Sequence, residues 1–582
     1  MMENKDIPTF KELKKILKQT DTSSLLKIKV ALLGDSATQL LVTALKGEAI
    51  RRGFCLDLFE AEYNQVERQI LDPTSDFHAF KPQITILFQS THKLLTHFEE
   101  LPPQQRNSLA KDRVDFLSDA LSLIDGKVIV YNYPEIDDAV FGSYANKIDS
   151  SFVYQTRKLN FELMNLAGTN PNLFICDLSS IQNKIGRDTA FDSSVYTSTE
   201  MVLSIDVLPF VAQRTMDIIA SLQGKFKKCL IMDLDNTLWG GVIGDDGLEG
   251  IQLGHGFGIG KAFSELQLWI KQLKDRGIIL AVCSKNNEQT AKEPFEKHPE
   301  MVLKLDDIAV FVANWETKVS NIMQIQQILN IGFDSMVFID DNPFERNIVR
   351  ENIQQMTVPE LPEDPAEYLE YLYSLNLFET TSYSANDKDR TKQYQVEAQR
   401  VGERKHFTNE NEFLQSLNMV SEVEGFTKYQ TPRIAQLTQR SNQFNLRTVR
   451  YTEEDIQRLE ADKEHYKCFS FTLQDKFGDN GMICVIVLEK KDKDTLFINE
   501  WLMSCRVLKR GMEYFTLNTL VDYAKKEGYK TIIGEYIPTP KNSMVEKHYT
   551  NLGFQPLENK ENQFVLRVED HEEKQVFIKK KE

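Results

Sequence analysis

The sequence predicts a protein of three domains: two α/β domains with parallel sheets, followed by one α+β domain. The chain has 582 residues, more than a single hydrophobic core ordinarily serves. Apolar strand-like runs alternate with helical stretches in two successive regions, as they do in βαβ units. The last third of the chain instead places paired strands ahead of a helix, which is an order typical of α+β folds.

The first predicted domain spans residues 1–215. Helical stretches such as 37–51 and 154–167 separate its short apolar runs. The runs lie at 28–33, 54–59, 84–88, 128–131 and 173–176. Buried parallel strands read as short, nearly continuous apolar runs, so this pattern predicts a flavodoxin-like sheet with helices on both faces.

The second α/β domain is predicted at residues 225–380. Its strands are expected at 230–233, 278–283 and 336–339, with helices at 262–274 and 319–329. An acidic, proline-bearing segment at 359–365 then ends the compact structure. Residues 381–406 are predicted to form a charged helical linker.

The third domain is predicted at residues 407–568. Paired strands at 482–488 and 496–501 precede a helix at 512–526 and a further strand at 531–535. The charged tail, 569–582, is predicted to fray.

Composition argues against several classes of protein. The net charge of −17 and pI near 5.2 disfavour a nucleic-acid partner, because phosphate backbones require clustered Lys and Arg. No segment reaches the roughly 18 apolar residues of a membrane helix, and the acidic N-terminus does not resemble a signal peptide. The seven cysteines form no CxxC pair, so neither a disulfide framework nor a zinc site is expected. We therefore expect a cytoplasmic protein that does not bind membranes.

Two carboxylates follow the first strand of the second domain. Asp233 and Asp235 come directly after the apolar run 229–232, and their spacing places both on one side of the pleat. The carboxyl ends of parallel strands are where α/β proteins place their chemistry. The first carboxylate could attack phosphorus, and the second could protonate the leaving group and then activate water. A small phosphorylated substrate and Mg²⁺ are the expected ligands.

Three later features complete this predicted site. Ser284, Lys285 and Asn286 follow the next strand, where a hydroxyl and backbone N–H groups can hold a phosphoryl oxygen. Lys318 begins a helical stretch and can neutralise phosphate. The pair Asp340 and Asp341 ends a third apolar strand and can complete an oxygen shell around Mg²⁺.

The order of these motifs resembles the haloacid dehalogenase (HAD) superfamily. The resemblance implies that Asp233 is the nucleophile and Asp235 the general acid and base. It also implies which residues bind the ligands. The implied phosphate-binding residues are Thr237, Ser284, Lys285, Asn286 and Lys318. The implied metal ligands are Asp233, Asp235, Asp340 and Asp341, with Asp235 contributing its backbone carbonyl oxygen.

The spacing of the motifs leaves no room for a large cap domain. One helix and a glycine-rich flap, 240–260, fit between Asp235 and Ser284, and the next interval is shorter. An uncapped site would admit a large or tethered substrate. Trp239 and Phe257 are equally consistent with lining the site and with packing the flap.

A narrower resemblance covers the whole second domain. The stretches DLDNTLWGGVIGDDGLEG, LAVCSKN, VFIDDNPFER and VPELPEDP, which begin at residues 233, 280, 337 and 358, are similar to the FkbH-like branch of the HAD superfamily (subfamily IIIC). Members of that branch occur with polyketide pathways. The resemblance implies removal of phosphate and transfer of an acyl group, for example a glyceryl group from 1,3-bisphosphoglycerate, to the thiol of an acyl carrier protein.

An acyl group in transit could rest on a thiolate. Cys283 and Cys505 are the two candidates for this role. For Cys283 the alternative, which we favour, is a small buried strand residue whose side chain points away from that of Ser284.

The third domain resembles the GNAT acetyltransferase fold. The candidate residues for binding CoA or a phosphopantetheine arm are Arg506, Val507, Lys509, Arg510, Gly511 and Tyr549. Lys509 stands where the family's loop has its first glycine, which weakens the acetyl-CoA interpretation. Tyr549 matches the family's general acid, and a structural tyrosine packed on the sheet is equally consistent with the sequence.

The first domain resembles SGNH hydrolases only in part. Gly34-Asp35-Ser36 matches their nucleophile block, but the region 191–200 contains Asp192 and no histidine. Without a base, Ser36 lacks activation, so we interpret it as a turn and helix-cap residue of a non-catalytic domain.

Three hypotheses of function remain open. The leading one is a Mg²⁺-dependent FkbH-like enzyme that moves an acyl group to a carrier. The second is a plain phosphatase of a surface-polysaccharide or secondary-metabolite pathway. The third is an acyl-CoA-dependent N-acyltransferase with an accessory HAD domain.

Overall fold

The computed structural model describes residues 7–383, 387–404, 406–539, 541–558 and 560–581. The chain forms two compact units, Met1–Leu222 and Gln223–Glu582. The predicted boundary at residue 215 falls inside the helix Leu208–Leu222, which belongs to the first unit. The second unit contains the other two predicted domains. In the described part of the chain, no helix combines the length and the apolarity that crossing a bilayer requires.

The first unit contains a parallel sheet with the order β2-β1-β3-β4-β5, the flavodoxin-like order. Its strands are β1 (Leu26–Gly34), β2 (Phe54–Glu60), β3 (Ile84–Phe88), β4 (Lys127–Tyr131) and β5 (Leu173–Cys176). Its α-helices are Phe10–Gln19, Gln39–Arg51, Val66–Leu71, Asp76–Phe80, Thr91–Glu100, Leu109–Leu123, Phe152–Thr169, Leu178–Ile185, Arg187–Ala190, Ser193–Thr199 and Leu208–Leu222. Alternate residues of β1 face opposite cores, with Val30 in one and Ala31 in the other. The doubly wound prediction is confirmed.

The expected helix-cap role of Ser36 is wrong. Ser36 is buried in the turn after β1, and Thr38 holds the N-cap position of the following helix. Asp192 caps a helix of its own, since its carboxylate accepts hydrogen bonds from the N–H groups of Ser194 and Val195 at 2.9 and 3.0 Å.

The second unit begins with a parallel sheet in the order β8-β7-β6-β9. Its strands are β6 (Cys229–Met232), β7 (Ile279–Ser284), β8 (Val310–Ala313) and β9 (Met336–Ile339). The helices are Ile243–Gly250, Gly260–Asp275, Glu288–Lys297, Lys318–Leu329, Pro343–Asn352 and Tyr368–Leu375. The sheet is covered on both faces: Leu230 and Met232 pack into one core, and Cys229 and Ile231 into the other.

A mixed sheet follows, with the path β16-β17-β15-β14-β13-β12-β10-β18 and β11 paired to β12. Its strands are β10 (Met419–Ser421), β11 (Val423–Glu424), β12 (Tyr466–Asp475), β13 (Gly478–Lys490), β14 (Thr495–Met503), β15 (Thr531–Glu535), β16 (Gln555–Pro556), β17 (Gln563–Arg567) and β18 (Ile578–Lys580). Its helices are Glu410–Ser416, Thr431–Arg440, Glu453–Ala461, Met512–Glu527 and His548–Asn551. Antiparallel pairs dominate, and the helices fall between strands, so the α+β prediction is confirmed.

The two connecting segments have different outcomes. The prediction that the tail frays is wrong, because β18 pairs in parallel with β10. The predicted charged helix is present at Arg390–Arg404. It also packs on its neighbours: Tyr394 lies in the core of the parallel sheet, and the buried Arg400 pairs with Asp475 at the end of β12. Composition did not indicate these contacts, since each segment contacts residues that are distant in the sequence.

Candidate active site

The four motifs meet at one edge of the parallel sheet. Asp233 directly follows β6, Ser284 is the last residue of β7, and Asp340 directly follows β9. Lys318 begins the helix that follows β8. Parallel strands end at a common edge, so the fold brings these side chains together.

Caps fix the start of the helices that carry the site. Thr317 accepts a hydrogen bond from the N–H of Ser320 at 3.2 Å, and this sets Lys318 as the first helical residue. After β9, Asn342 accepts from the N–H of Phe344 at 2.9 Å, and Pro343 occupies the first helical position. Both helices therefore begin at the site edge.

Lys318 bridges two of the carboxylates. Its Nζ lies 2.7 Å from Asp233 Oδ2 and 2.6 Å from Asp340 Oδ2, and the lysine is 3% exposed. Burial alone would lower the pKa of Lys318, but the charges of Asp233 and Asp340 raise it above its usual range. The site thus holds a permanent cation beside the proposed nucleophile.

Asp233, Asp340 and Asp341 form a cluster that fits a divalent cation. Each offers one carboxylate oxygen, and these oxygens all lie within 4.8 Å of one another. The donors are hard oxygens, without sulfur or imidazole in the cluster, which suits Mg²⁺. Burial, followed by the charge of Asp233, raises the pKa of Asp340 to about 6 and also raises the pKa of Asp341. A cation here would offset this repulsion.

The loop that carries Asp340 and Asp341 is held by two further residues. Thr237 accepts from the N–H of Asp341 at 3.0 Å, and its hydroxyl donates to Asp341 Oδ1 at 3.2 Å. The Arg346 guanidinium donates to the carbonyl oxygens of Asp340 and Asp341 at 2.8 and 2.7 Å. Sequence reasoning missed Arg346, although it lies in the VFIDDNPFER stretch.

The carboxylate of Asp235 is fixed by the flap. Its Oδ1 accepts from Trp239 Nε1 at 2.9 Å and from the N–H of Ile243 at 3.0 Å. Its Oδ2 accepts from Asn286 Nδ2 at 3.1 Å. Burial raises the pKa of Asp235, which favours the protonated form that a general acid needs. Asp235 therefore has side-chain partners distinct from the three-carboxylate cluster.

Trp239 combines the two roles that the sequence left open. Its ring is fully buried and packs edge-on against Phe295, while its N–H orients Asp235. Phe257, by contrast, is fully exposed. The chain is therefore fixed at Trp239, directly before the flap, whereas Phe257 within the flap is exposed.

Replacing Trp239 by Phe should lower kcat for an aryl phosphate about 10-fold, the effect expected when a carboxyl loses one hydrogen-bond donor. The phenyl ring preserves most of the packing, so the protein should remain folded. Trp269→Phe is the matched control, because Trp269 packs against Tyr373 and Phe378 away from Asp235. Equal losses of kcat in both variants would show that catalysis depends on general packing and not on the N–H of Trp239.

The predicted phosphate-binding residues differ in their surroundings. Ser284 is buried at the end of β7, and Asn286 is engaged with Asp235. Lys285 points to Glu345 instead, with its Nζ 2.5 Å from Glu345 Oε1. Glu345 was not predictable from the sequence, since nothing in the motif spacing indicates the direction of a lysine side chain.

The two candidate thiols are placed differently. Cys283 is fully buried in β7, its Sγ donates to the carbonyl oxygen of Lys318 at 3.8 Å, and burial raises the pKa of its thiol to about 12. This environment keeps the thiol protonated and favours the packing role. The side chain of Cys505 lies outside the described residues.

The GNAT-type loop precedes the helix Met512–Glu527. Lys509 and Gly511 both adopt the left-handed conformation, with φ of 62° and 81°, so Lys509 takes a backbone shape that favours glycine. The Arg510 guanidinium pairs with Asp475 and Glu397, and Val507 is buried. CoA or pantetheine binding by this loop stays a prediction.

Tyr549 lies in the core of the mixed sheet. It is fully buried, its ring stacks on Phe564, and a Cβ on Gly534 would come within 2.2 Å of that ring. Burial raises the pKa of Tyr549 well above its usual range. These surroundings favour the structural alternative over the general acid.

Strands β14 and β15 separate along their length, and another segment of the same chain lies in the gap between them. These strands pair only from Thr495 to Phe497, and beyond that point Leu446 lies between them. The Leu446 N–H donates to the Trp501 carbonyl at 3.2 Å, and its carbonyl accepts from the Ile537 N–H at 2.8 Å.

Comparison with known proteins finds two close matches. A family model described as FkbH, N-terminal domain, matches residues 29–220. The solved N-terminal part of the protein BF1531 from Bacteroides fragilis, described as containing a phosphatase domain complexed with Mg, is 66% identical, with a TM-score of 0.63. The match covers 65% of this chain and 100% of that chain. No curated protein matches.

The mixed-sheet region has more distant likenesses. The ribosomal-protein-S18-alanine N-acetyltransferase from Escherichia coli is 16% identical with a TM-score of 0.20, over 26% of this chain and 94% of that chain. An N-acetyltransferase from Staphylococcus aureus Mu50 is 13% identical with a TM-score of 0.20, and the match covers 26% of this chain and 99% of that chain. The family-model match to residues 29–220 and the 66% identity to the whole Bacteroides fragilis chain show that this chain belongs to the FkbH-like family of the HAD superfamily.

Proposed function

We propose that the chain is a Mg²⁺-dependent phosphatase-type enzyme that removes a phosphoryl group through an aspartyl-phosphate on Asp233. The observation that carries this proposal is the bridge from Lys318 to Asp233 and Asp340 at 2.7 and 2.6 Å, beside a third carboxylate. The related BF1531 fragment, described as containing a phosphatase domain complexed with Mg, supports it.

The reaction proceeds in two displacements. Asp233 attacks phosphorus, the bond from phosphorus to the leaving oxygen breaks, and Asp235 gives that oxygen its proton. Asp235, now ionised, takes a proton from a water that attacks the aspartyl-phosphate, which releases phosphate and restores Asp233. Lys318 offsets negative charge on the phosphoryl oxygens throughout. Asp233, Asp340 and Asp341 would hold Mg²⁺, which stabilises charge on the phosphoryl group as a Lewis acid.

We further propose that the donor is an acyl phosphate and that its acyl group moves to the thiol of a carrier protein. In this transfer the carrier thiol gives its proton to solvent, and the thiolate attacks the carbonyl carbon. The bond from that carbon to the phosphate oxygen breaks, and phosphate leaves beside Lys318 without forming an aspartyl-phosphate. The open site supports this, since residues 233–318, all of which are described, contain strands β7 and β8 of the parallel sheet, helices and loops, but no cap domain. The buried, protonated Cys283 argues that the accepting thiol belongs to the carrier. A glyceryl group from 1,3-bisphosphoglycerate is the first donor to test.

The decisive experiment follows the mass of the carrier. The purified chain is incubated with Mg²⁺, 1,3-bisphosphoglycerate and a panel of holo carrier proteins, and each carrier is weighed intact while released phosphate is measured. A mass gain on one carrier supports acyl transfer. Phosphate release without a gain on any carrier would reduce the function to that of a plain phosphatase.

Exposed aromatic side chains stand near the site edge and suit a tethered substrate. Trp315, two residues after β8, is 77% exposed, and Phe344, in the first turn after β9, is 66% exposed. Large exposed aromatics often serve as anchors for protein partners. We propose that they contact the carrier.

Trp315→Ala should raise KM for a carrier-bound substrate about 10-fold, because the truncation removes one anchor. It should leave turnover of a small aryl phosphate unchanged. Tyr429→Ala is the matched control, since Tyr429 is 95% exposed and lies in the mixed-sheet region. A parallel loss on the small substrate would place Trp315 in the catalytic machinery and not in docking.

A further inference from the structure

A small cavity with strongly basic walls lies where the parallel sheet, the helix Arg390–Arg404 and the mixed sheet meet. Its volume is about 80 Å³, room for a group the size of phosphate. The cationic residues that line it are Lys228, Arg390, Arg433, Arg440 and Arg506. Among the described lining residues there is no carboxylate.

One carboxylate beside the cavity neutralises part of this charge. Asp387 is fully buried and pairs with the guanidinium groups of Arg390 and Arg440, the latter at 2.5 Å. It also accepts from Gln436 Nε2 at 2.9 Å. A single negative charge therefore pairs with two arginines.

Arg433 is the least compensated of these cations. Within the described residues its only hydrogen bond is from Nη1 to the neutral Gln436 Oε1 at 2.5 Å, and it has no ion pair there. Burial, followed by the positive charges of Arg506 and Arg390, lowers the pKa of Arg433 to about 9. A partly desolvated guanidinium without a carboxylate partner is costly unless an anion joins it.

We propose that this basic cavity is a binding site for a phosphate group, separate from the acidic site at Asp233. Guanidinium groups match phosphate oxygens in charge and in hydrogen-bond geometry, and several converge here from different elements. Arg433 and Arg440 come from the helix Thr431–Arg440, Arg390 from the linker helix, and Arg506 from the loop after β14. The site does not depend on the reaction proposed at Asp233.

Two sources could supply the phosphate group: the free ion, or a phosphate ester such as a phosphopantetheine arm. Binding of inorganic phosphate, 4′-phosphopantetheine and unphosphorylated pantetheine to the full chain is compared by titration calorimetry with EDTA present. Equal binding of the two phosphate ligands assigns the site to the free ion, whereas binding of 4′-phosphopantetheine alone assigns it to the arm. Binding of pantetheine as tightly as its phosphorylated form overturns the proposal.

Substitutions of Arg433 test whether phosphate binds in this cavity. Arg433→Gln should weaken phosphate affinity about 10- to 100-fold, the effect of removing a charge-assisted hydrogen bond. Arg433→Lys keeps the charge and should weaken it less. Arg458→Gln is the control, since Arg458 is solvent-exposed and, among the residues that the structure describes, pairs with Asp455 in its own helix.

Folding is monitored in the same experiment. Without phosphate, Arg433→Gln should melt no lower than the wild type, because the change removes an uncompensated charge. With phosphate, the wild type should gain thermal stability that Arg433→Gln lacks. The proposal is refuted by an absence of phosphate binding in the wild type, or by equal affinities in the wild type and in both Arg433 variants.

Discussion

Replacing Asp233 by Asn should lower the rate of phosphate release by about 10³-fold or more, since the loss of a covalent nucleophile removes the central step. An amide oxygen does not displace a leaving group from phosphorus at a useful rate. Lys318 keeps its bond to Asp340 at 2.6 Å, so the variant should fold. Phosphate release from an aryl phosphate and from an acyl phosphate is the measurement.

The matched control for this variant is Asp245→Asn. Asp245 is an exposed aspartate in the flap helix Ile243–Gly250, so the same chemical change there should leave the rate unaltered. Mass spectrometry of the wild type during turnover should find one added phosphoryl group, and the Asp233→Asn variant should show none. Substantial phosphate release by that variant would eliminate Asp233 as the nucleophile.

Asp475→Ala should cost about 3–5 kcal/mol of unfolding free energy, the usual effect of breaking a buried ion pair from one side. The carboxylate is fully buried and lies 2.8 Å from Arg400 Nη2 and 3.3 Å from Arg510 Nη1. Its removal leaves Glu397 as the carboxylate paired with both guanidinium groups among the described residues.

Urea denaturation followed by tryptophan fluorescence and circular dichroism measures this loss. Asp522→Ala is the control, because Asp522 is exposed on the helix Met512–Glu527 and should change stability by about 0.5 kcal/mol or less. A loss of similar size in both variants would mean that the buried network contributes little.

The location of the candidate site was predictable from sequence because one rule of topology suffices. Once Asp233, Ser284 and Asp340 are assigned to the ends of parallel strands, the fold must place them at one edge. The partners of Asp235 were not predictable in the same way. The hydrogen bond from Trp239 depends on a turn in which Asn236 has a φ of 53°, and spacing does not specify side-chain direction.

The structural context of a segment explains the other predictions that differ from the structure. The charged tail reads as disordered, yet β18 lies beside β10, more than a hundred residues earlier in the chain. In the sequence, Lys509 is an imperfect match to the glycine of the family's loop. In the structure, its backbone nevertheless adopts the left-handed conformation that glycine favours. Composition describes a segment in isolation, and these segments are fixed by what they contact.

The helix Arg390–Arg404 has a consequence for the modularity of the chain. Tyr394 completes one hydrophobic core, and Arg400 completes a charge network in the other sheet. Neither sheet can lose this helix without losing part of its own interior. The acidic site and the mixed-sheet region are therefore thermodynamically linked, and a change that loosens one is transmitted as lower stability of the other. A gene fragment that stops ahead of Arg390 yields a protein with the acidic site and an uncovered apolar face.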